Sequence, residues 1–159
     1  MYGRIYTIVF ARVAVTVIQD LFEVLVPADS VMVLHRVTIT QDTEQGDAED
    51  EQLYLSIRRI TGAPTSGSGG TVATPQPIQA GDAAAGITAE VNNTTQLTGG
   101  TNSLIISEAF NIRAGYDHFP PPEQRIIISP STRLLVELET APIDSVTFSG
   151  TMVVEEIGG

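Results

Sequence analysis

Alternation of apolar and polar positions is the dominant pattern of this chain, and it predicts β-strands. In the segment 31–40, VMVLHRVTIT, valine and isoleucine fall on one side of an extended strand and arginine and threonine on the other. The apolar side of this segment consists of Val31, Val33, Val37 and Ile39. A period of two with one apolar side is typical of a half-buried strand.

The same alternation recurs in three other segments. The positions predicted to face a core are Leu53, Leu55 and Ile57 in 53–60, Leu134, Val136 and Leu138 in 133–140, and Val146, Phe148, Met152 and Val154 in 146–154. Further candidate strands are 5–11, 21–26, 104–112 and 125–129. No stretch of ten residues shows a helical period.

Turn-forming residues separate these segments, at 27–30, 61–64, 120–122, 129–131 and 141–144. About eight short strands with such spacing are typical of an antiparallel sandwich, jelly roll or barrel. The sequence therefore predicts an all-β protein with a single domain over 1–159, an antiparallel β-sandwich of jelly-roll type.

A long stretch of small and turn-forming residues lies within this pattern and is predicted as a loop over about 62–102. It contains TSGSGGTVATPQP (65–77) and GDAAAGITAEVNNTT (81–95). A flexible linker would separate two complete cores, but only about four strands lie on either side of it. We expect an ordered insertion pinned to the sheet by Ile87 and Val91, with a neighbouring subunit or a capsid ordering the rest.

Composition limits the partners of the chain. Its 159 residues include 19 acidic residues against 8 arginines, with no lysine and no cysteine, for a net charge of -11. Such a charge repels nucleic-acid phosphates and anionic lipid, so neither nucleic acid nor a membrane is an expected partner. The apolar N-terminus is interrupted by Arg4 and Arg12, which favours a strand over a signal peptide or a membrane span.

An acidic run, QDTEQGDAEDEQ (41–52), raises the question of a cation site. Its carboxylates are Asp42, Glu44, Asp47, Glu49, Asp50 and Glu51. Calcium requires several converging oxygens, but the glycine and the final glutamate of an EF-hand loop are not in register here. A solvated hairpin turn reversing at Gly46 and Asp47 is favoured, and no metal site is predicted.

The sequence contains little that could perform catalysis. Its only histidines are His35 and His118, and it has no phosphate-binding, zinc-protease or serine-hydrolase motif. His35 lies on the apolar face of its predicted strand, which favours a core or interface histidine. Neighbouring positions of an extended chain point to opposite sides, so Asp117 and His118 are not expected to act together. No catalytic residue, cofactor or enzymatic activity is predicted.

Two segments are better suited to binding another protein. The turn YDHFPPP (116–122) combines aromatic residues with stiff prolines, so little entropy is lost on docking. An ordinary rigid turn is the alternative. The N-terminal strand must be tied into a sheet of this chain or of a neighbour, and strand exchange would satisfy it. The predicted interface residues are Ile5, Ile8, Phe10, Tyr116, His118, Phe119, Pro120, Pro121 and Pro122. The exposed aromatic residues that could stack on a sugar ring are predicted to be Tyr116, Phe119, Tyr2 and Tyr6.

Four segments carry a resemblance to known proteins: GDAEDE (46–51), TSGSGG followed by TPQP (65–77), GDAAAGITAEVNNTT (81–95) and SGTMVVEE (149–156). Together they resemble a group of small virion proteins of tailed phages and prophages. The resemblance implies a non-enzymatic decoration (cement, or head auxiliary) protein on the capsid surface, bound to the major capsid protein and commonly a homotrimer. It supplies no motif of catalytic or binding residues.

Three alternatives remain open at this stage. One is a tail, baseplate or fibre component of the same kind of particle. Another is a receptor- or glycan-binding module, which predicts an exposed aromatic pocket around Tyr116 and Phe119. The third is a hydrolase using His118 with nearby carboxylates.

Overall fold

A computed structural model describes residues 3–46, 48 and 50–159; Tyr2, Asp47 and Glu49 lie outside the described residues. The described part of the chain forms twelve strands and two short 3-10 helices. The strands are β1 (Arg4–Val15), β2 (Gln19–Leu25), β3 (Ser30–Gln41), β4 (Gln52–Thr61), β5 (Thr71–Val72), β6 (Gln76–Pro77), β7 (Thr88–Asn93), β8 (Thr101–Asn111), β9 (Tyr116–His118), β10 (Ile127–Ile128), β11 (Arg133–Leu138) and β12 (Val146–Gly158). The 3-10 helices are Glu44–Gly46 and Pro122–Gln124.

The strands form two antiparallel sheets that enclose one apolar core. Sheet A has the order β10-β3-β12-β1-β6, with β9 also pairing with β3, and sheet B has the order β5-β7-β2-β11-β4-β8. The core between them includes Phe22 and Leu55 from sheet B and Phe148 and Leu34 from sheet A. The predicted antiparallel β-sandwich is confirmed, whereas its jelly-roll topology stays a prediction.

The alternation pattern gives the correct inward face for most of the long strands. The apolar positions predicted for β4, β11 and β12 are all buried. In β3, however, Val37 and Ile39 face the core while Val31 and Val33 lie on the outer face. The pairing with β12 shifts register between Val153 and Val154. This irregularity reverses the phase of the strand.

His35 lies at this irregularity, and its predicted place on the apolar face is corrected. Its Nε2 atom is 2.9 Å from Oε2 of Glu155 on the neighbouring strand, and both side chains are largely buried. The bulge turns the imidazole toward the outer face of sheet A, where a carboxylate can meet it.

Strand β1 belongs to the sheet of its own chain, between β12 and β6. Ile8 and Phe10 are buried in the core, so the prediction that they form an interface is wrong. Both sides of this strand carry apolar residues, which left its inward face undetermined by the sequence. Ile5 lies on the opposite, outer side with Thr7 and Val9.

Gly150 makes room for the ring of Phe10, its direct partner across the sheet. A Cβ atom on Gly150 would lie 2.3 Å from Cε1 of Phe10 and 3.0 Å from Cζ of Phe22. The two rings themselves pack with centroids 5.2 Å apart.

We therefore expect Gly150→Ala to lower the free energy of unfolding by about 1–3 kcal/mol through overpacking. Urea denaturation measures this, with Gly46→Ala, where the added Cβ meets nothing, as control. Equal stability of the two variants would contradict it.

The segment 62–102 is more structured than the predicted loop. It contains β5, β6 and β7, and β7 lies inside sheet B between β2 and β5. Ile87 and Val91 are buried as expected. The candidate strand 125–129, by contrast, is reduced to the two residues of β10.

Contacts within the chain account for the order of this segment. Tyr6 donates its hydroxyl proton to the carbonyl of Ala83 at 2.9 Å, and Glu156 accepts from the backbone amides of Gly86 and Ile87, both at 3.0 Å. The expectation that a neighbouring subunit or a capsid orders the segment is therefore corrected.

Candidate interaction surfaces

The outer face of sheet B is covered by a part of the chain that we name the flap, residues 62–70 and 94–100. Its two arms are joined by backbone hydrogen bonds between Thr65 and Thr98 and between Ser68 and Thr95. The flap begins where β4 ends and crosses the sheet to reach β5. Sheet B therefore has no open face at this position.

Glu23 of β2 holds one arm of the flap. Its carboxylate accepts hydrogen bonds from the Gly67 amide at 3.0 Å and from Nδ2 of Asn93 at 3.1 Å, and it forms an ion pair with Arg133 of β11. Arg133 also donates to Oγ of Ser66 at 2.6 Å. Glu23 is only 3% exposed, and these donors replace the water that its carboxylate loses on burial.

Asp20 holds the other arm of the flap, but its buried carboxylate has fewer hydrogen-bond donors than that of Glu23. Its Oδ2 accepts from the Leu97 amide at 2.7 Å, while Oδ1 has no hydrogen-bond partner within the described residues. The side chain is completely buried, and burial raises the pKa of Asp20 to about 7, with a smaller contribution from the charge of Glu137. Burial also raises the pKa of Glu137, against the opposing charge of Arg58 at 2.8 Å. These carboxylates fasten the flap and face no open cleft.

The outer face of sheet A, in contrast, is not covered by any described segment. It presents a set of aliphatic side chains that we name the sheet A patch: Ile5, Val9, Val31, Val33, Ile78, Ile127, Val153 and Ile157. Cross-strand partners place Ile127, Val33, Glu155 and Ile5 in one row, since directly opposed residues share a face. Val9 is 50% exposed, Ile127 59% and Ile78 62%.

The charged side chains within this face are paired with one another. Arg36 donates from Nε and Nη2 to the two carboxylate oxygens of Asp117 at 2.8 and 2.9 Å, and these hydrogen bonds lower the pKa of Asp117. His35 and Glu155 form the second pair. A partner that covered the Arg36–Asp117 pair would therefore bury compensated charges, which costs less than burying isolated ones.

The turn 116–122 lies at the edge of sheet A and divides into buried and exposed halves. Tyr116 is buried against Phe110, with ring centroids 5.7 Å apart, and donates its hydroxyl proton to Oε2 of Glu108 at 2.9 Å. Pro120 is buried as well. Phe119 is 65% exposed and lies beneath the guanidinium of Arg36, 5.4 Å from its ring centroid.

The predicted interface in this turn is reduced accordingly. The aromatic pocket expected from Tyr116 and Phe119 is not formed, because the ring of Tyr116 belongs to the core. Phe119, Pro121 and Pro122 are exposed beside the sheet A patch, and their contact with a partner stays a prediction.

The residues that could contribute to catalysis, Asp117 and His118, are not hydrogen-bonded to each other. Asp117 is engaged by Arg36 and Thr38, whereas His118 is half-buried, and burial lowers its pKa. Nε2 of His118 has no hydrogen-bond partner in the described part of the chain. The pair therefore lacks the contact between base and orienting carboxylate that nucleophilic catalysis requires.

The carboxylates of the acidic run are also used locally. Asp42 pairs with Arg12 at 2.7 Å, Asp50 accepts from Nδ2 of Asn111 at 2.7 Å, and Glu51 accepts from the Ile143 amide at 3.2 Å. Across residues 3–46, 48 and 50–159, no three acidic or histidine side chains converge in a way that could hold a metal ion. Within the same ranges, no helix has the length and apolar character needed to cross a bilayer.

Alternation alone could not reveal the sheet A patch, because alternation identifies only the side that faces the core. A usable signal was the departure from alternation, in IYTIVF (5–10), TMVVEE (151–156) and RIIIS (125–129), where both sides of the strand are apolar. Strands that are apolar on both sides are typically covered on both sides. Comparison of the chain with family models, with curated proteins and with solved structures found no match.

Proposed function

We propose that this protein is a non-enzymatic structural protein of a tailed-phage virion, a capsid decoration protein that binds the outer surface of the head. In this proposal its partner is the major capsid protein, and its place is the capsid surface. The sheet A patch carries the proposal, together with the resemblance of four sequence segments to virion proteins.

The patch supports docking because its side chains are aliphatic and no described segment covers it. Contiguous exposed apolar surface on a soluble domain marks an interaction site far more often than isolated exposed residues do. Covering it removes apolar area from water at about 25 cal/mol per Å². A rigid sheet also loses little conformational entropy when it binds.

The distribution of charge also supports binding through the sheet A patch. The net charge is -11, yet Arg36 and Asp117 on the outer face of sheet A compensate each other, and Glu155 is hydrogen-bonded to His35. With the patch against a capsid, the excess acidic side chains are free to face solvent, where they favour solubility. The resemblance adds a homo-oligomer, with a trimer favoured, to this proposal.

A binding assay with empty heads tests the proposal. Wild-type protein is expected to co-sediment with heads from which the native decoration protein is absent, at saturable stoichiometry. Val9→Asp adds a charge at an exposed position of the patch, in the row of Thr151 and Thr38, and is expected to weaken binding at least about tenfold. The matched control is Ile143→Asp, at a residue that is 76% exposed in the turn before β12 and is not part of the patch; its binding should equal that of wild type.

Two results would overturn the proposal: wild-type protein that ignores heads, or equal binding by Val9→Asp and wild type. Circular dichroism of both variants excludes misfolding as the cause of a loss. Assays with isolated tails separate the tail or fibre alternative, which would use the same patch on a different particle. No described feature favours the glycan-binding alternative, because Tyr116 is withdrawn into the core.

A further inference from the structure

Arg59 occupies a position of β4 that faces the interior of the sandwich. It is directly opposite Leu134 of β11, which is completely buried in the core, and opposite Ser103 of β8 on its other side. Directly opposed residues of an antiparallel pair lie on the same face of the sheet. The half-buried side chain of Arg59 therefore belongs to the inner face of sheet B, one strand from its edge.

This arginine lies at a groove between the edges of the two sheets. The groove, of about 480 Å³, separates β8 at the edge of sheet B from the segment 123–127, which leads into β10 at the edge of sheet A. Arg125 lines it from the sheet A side and is also half-buried. Its Nε atom is buried and has no hydrogen-bond partner in the described part of the chain. Two arginines therefore line one groove, from opposite sheets.

These two arginines have no counter-charge of their own. Among the described residues, ion pairs with carboxylates are formed by Arg12, Arg36, Arg58 and Arg133. Neither Arg59 nor Arg125 has a carboxylate within ion-pair distance in the same ranges, although the chain contains 19 acidic residues and only 8 arginines. The groove thus keeps its cations unpaired in a strongly acidic protein.

The charges that line the groove leave one positive charge uncompensated. They are Arg59, Arg125 and Glu123, so two cations face one carboxylate. A half-buried cation without a counter-ion is unfavourable, because the protein has replaced part of its water without supplying an opposite charge. The groove is therefore complementary to a single bound negative charge.

The other lining residues indicate what carries that charge. Ser103 and Gln124 add neutral polar groups, while Leu104 and Ile127 are aliphatic side chains that are 53% and 59% exposed. The arginine fork matches the two oxygens of a carboxylate, and aliphatic surface favours a carbon chain attached to it. A phosphate dianion would exceed the available positive charge and would be repelled by Glu123.

We propose that this groove binds a carboxylate joined to an aliphatic chain, with Arg59 and Arg125 as the cations that hold it. A small organic acid has this chemistry, and so has an acidic side chain between aliphatic residues of a partner protein. The site does not depend on the proposed function. It shares only Ile127 with the sheet A patch, so the two proposals can fail independently.

A titration with isocaproate, a branched aliphatic acid, tests the site at near-neutral pH and constant ionic strength. In nuclear magnetic resonance spectra, the side-chain Nε–H signals of Arg59 and Arg125 are expected to shift and saturate, with a Kd of about 1–10 mM. Isocaproamide, its neutral counterpart, should cause no saturable shift, and inorganic phosphate should bind more weakly than isocaproate. Equal binding of acid and amide, tighter binding of phosphate, or no shift at the two arginines would overturn the proposal.

A capped peptide separates the two sources of the carboxylate. The probe is a leucine–glutamate–leucine tripeptide with acetylated and amidated ends, and its glutamine counterpart is the control. Tighter binding of the glutamate peptide than of isocaproate assigns the site to an acidic side chain of a partner protein, and weaker binding assigns it to a small organic acid. The glutamine peptide should bind at least about tenfold more weakly than the glutamate peptide, and equal binding of the two would contradict carboxylate recognition.

Substitutions inside and outside the groove locate the contact. Arg59→Gln and Arg125→Gln keep hydrogen-bond donors but lose the charge, and each is expected to raise the Kd for isocaproate at least about fivefold. Arg4→Gln, at an exposed arginine outside the groove, makes the same change in net charge and should leave the Kd unchanged. Equal effects of all three would reduce the site to general electrostatic attraction and overturn the proposal.

Glu123→Gln tests the charge count from the opposite direction. It removes the negative charge that lines the groove and is expected to lower the Kd for isocaproate about twofold or more. Asp144→Asn, at an exposed acid in the turn before β12, changes the net charge equally and should leave the Kd unchanged. An unchanged or raised Kd in Glu123→Gln would overturn the proposal, even if the arginine variants failed to fold.

Discussion

Replacement of Arg133 by methionine is expected to lower the free energy of unfolding by about 3–5 kcal/mol, the usual cost of removing one partner from a buried ion pair. Arg133 provides the cation for Glu23, whose side chain is 2% exposed beneath the flap. Methionine fills similar space but leaves this carboxylate charged and uncompensated. The Gly67 amide and the Asn93 side chain remain as donors, and they cannot neutralise it.

Removing the charge of Glu23 together with that of Arg133 should recover most of the lost free energy of unfolding. In Glu23→Gln/Arg133→Met the amide oxygen still accepts from Gly67 while the buried charge is gone, so the double variant should be much closer to wild type than Arg133→Met. Arg36→Met is the matched control at an exposed pair, where both side chains are nearly half exposed and only a small loss is expected. Urea denaturation measures all three; an equal loss for Arg36→Met and Arg133→Met would contradict the prediction.

The flap also shows which part of the fold was accessible to sequence reasoning. Alternation identifies β4, β11 and β12 because one side of each is apolar and the other polar. It does not identify β7, because Glu90, Asn92 and Asn93 of this strand are polar. In the structure Asn93 donates hydrogen bonds to Glu23 and Glu90 within sheet B, next to the flap. The flap itself is fastened by carboxylates remote in sequence, such as Glu23 with Gly67, so no local pattern marks it.

The sequence predicts only some of the residues on the outer face of sheet A correctly, because the apolar pattern does not always identify which side of a strand faces the core. A strand that is apolar on both sides, like β1, indicates two covered faces without saying which one is the core. Ile5 lies on the outer face, while Ile8 and Phe10 lie on the inner one. In β3 the irregularity at His35 exchanges the faces midway, and only the pairing with β12 reveals it.

Asp20→Asn is expected to remove a pH dependence from the stability of the protein. The pKa of Asp20 rises from 3.8 to about 7 on folding, chiefly through burial. The folded chain therefore keeps this proton at pH values where the unfolded chain has released it. The stabilisation that the proton provides is complete below pH 3.8 and is lost as the pH rises through about 7.

Asparagine is neutral at every pH and keeps an oxygen for the Leu97 amide. Relative to wild type, the variant should gain stability as the pH rises from about 4 to 7, by about 1.4 kcal/mol per pH unit and up to about 4 kcal/mol in total. Above this range the difference should be constant. Chemical denaturation of both proteins across this range, compared at each pH, removes the contributions of the carboxylates that do not interact with Asp20.

Asp117→Asn provides a control of opposite sign. The hydrogen bonds from Arg36 lower the pKa of Asp117, so its stabilisation is present above pH 3.8 and lost on acidification. The deficit of Asp117→Asn relative to wild type should therefore disappear at low pH, where the benefit of Asp20→Asn also disappears. A constant difference between Asp20→Asn and wild type across the range would mean that Asp20 titrates alike in the folded and unfolded chain, and that the flap does not exclude water from its carboxylate.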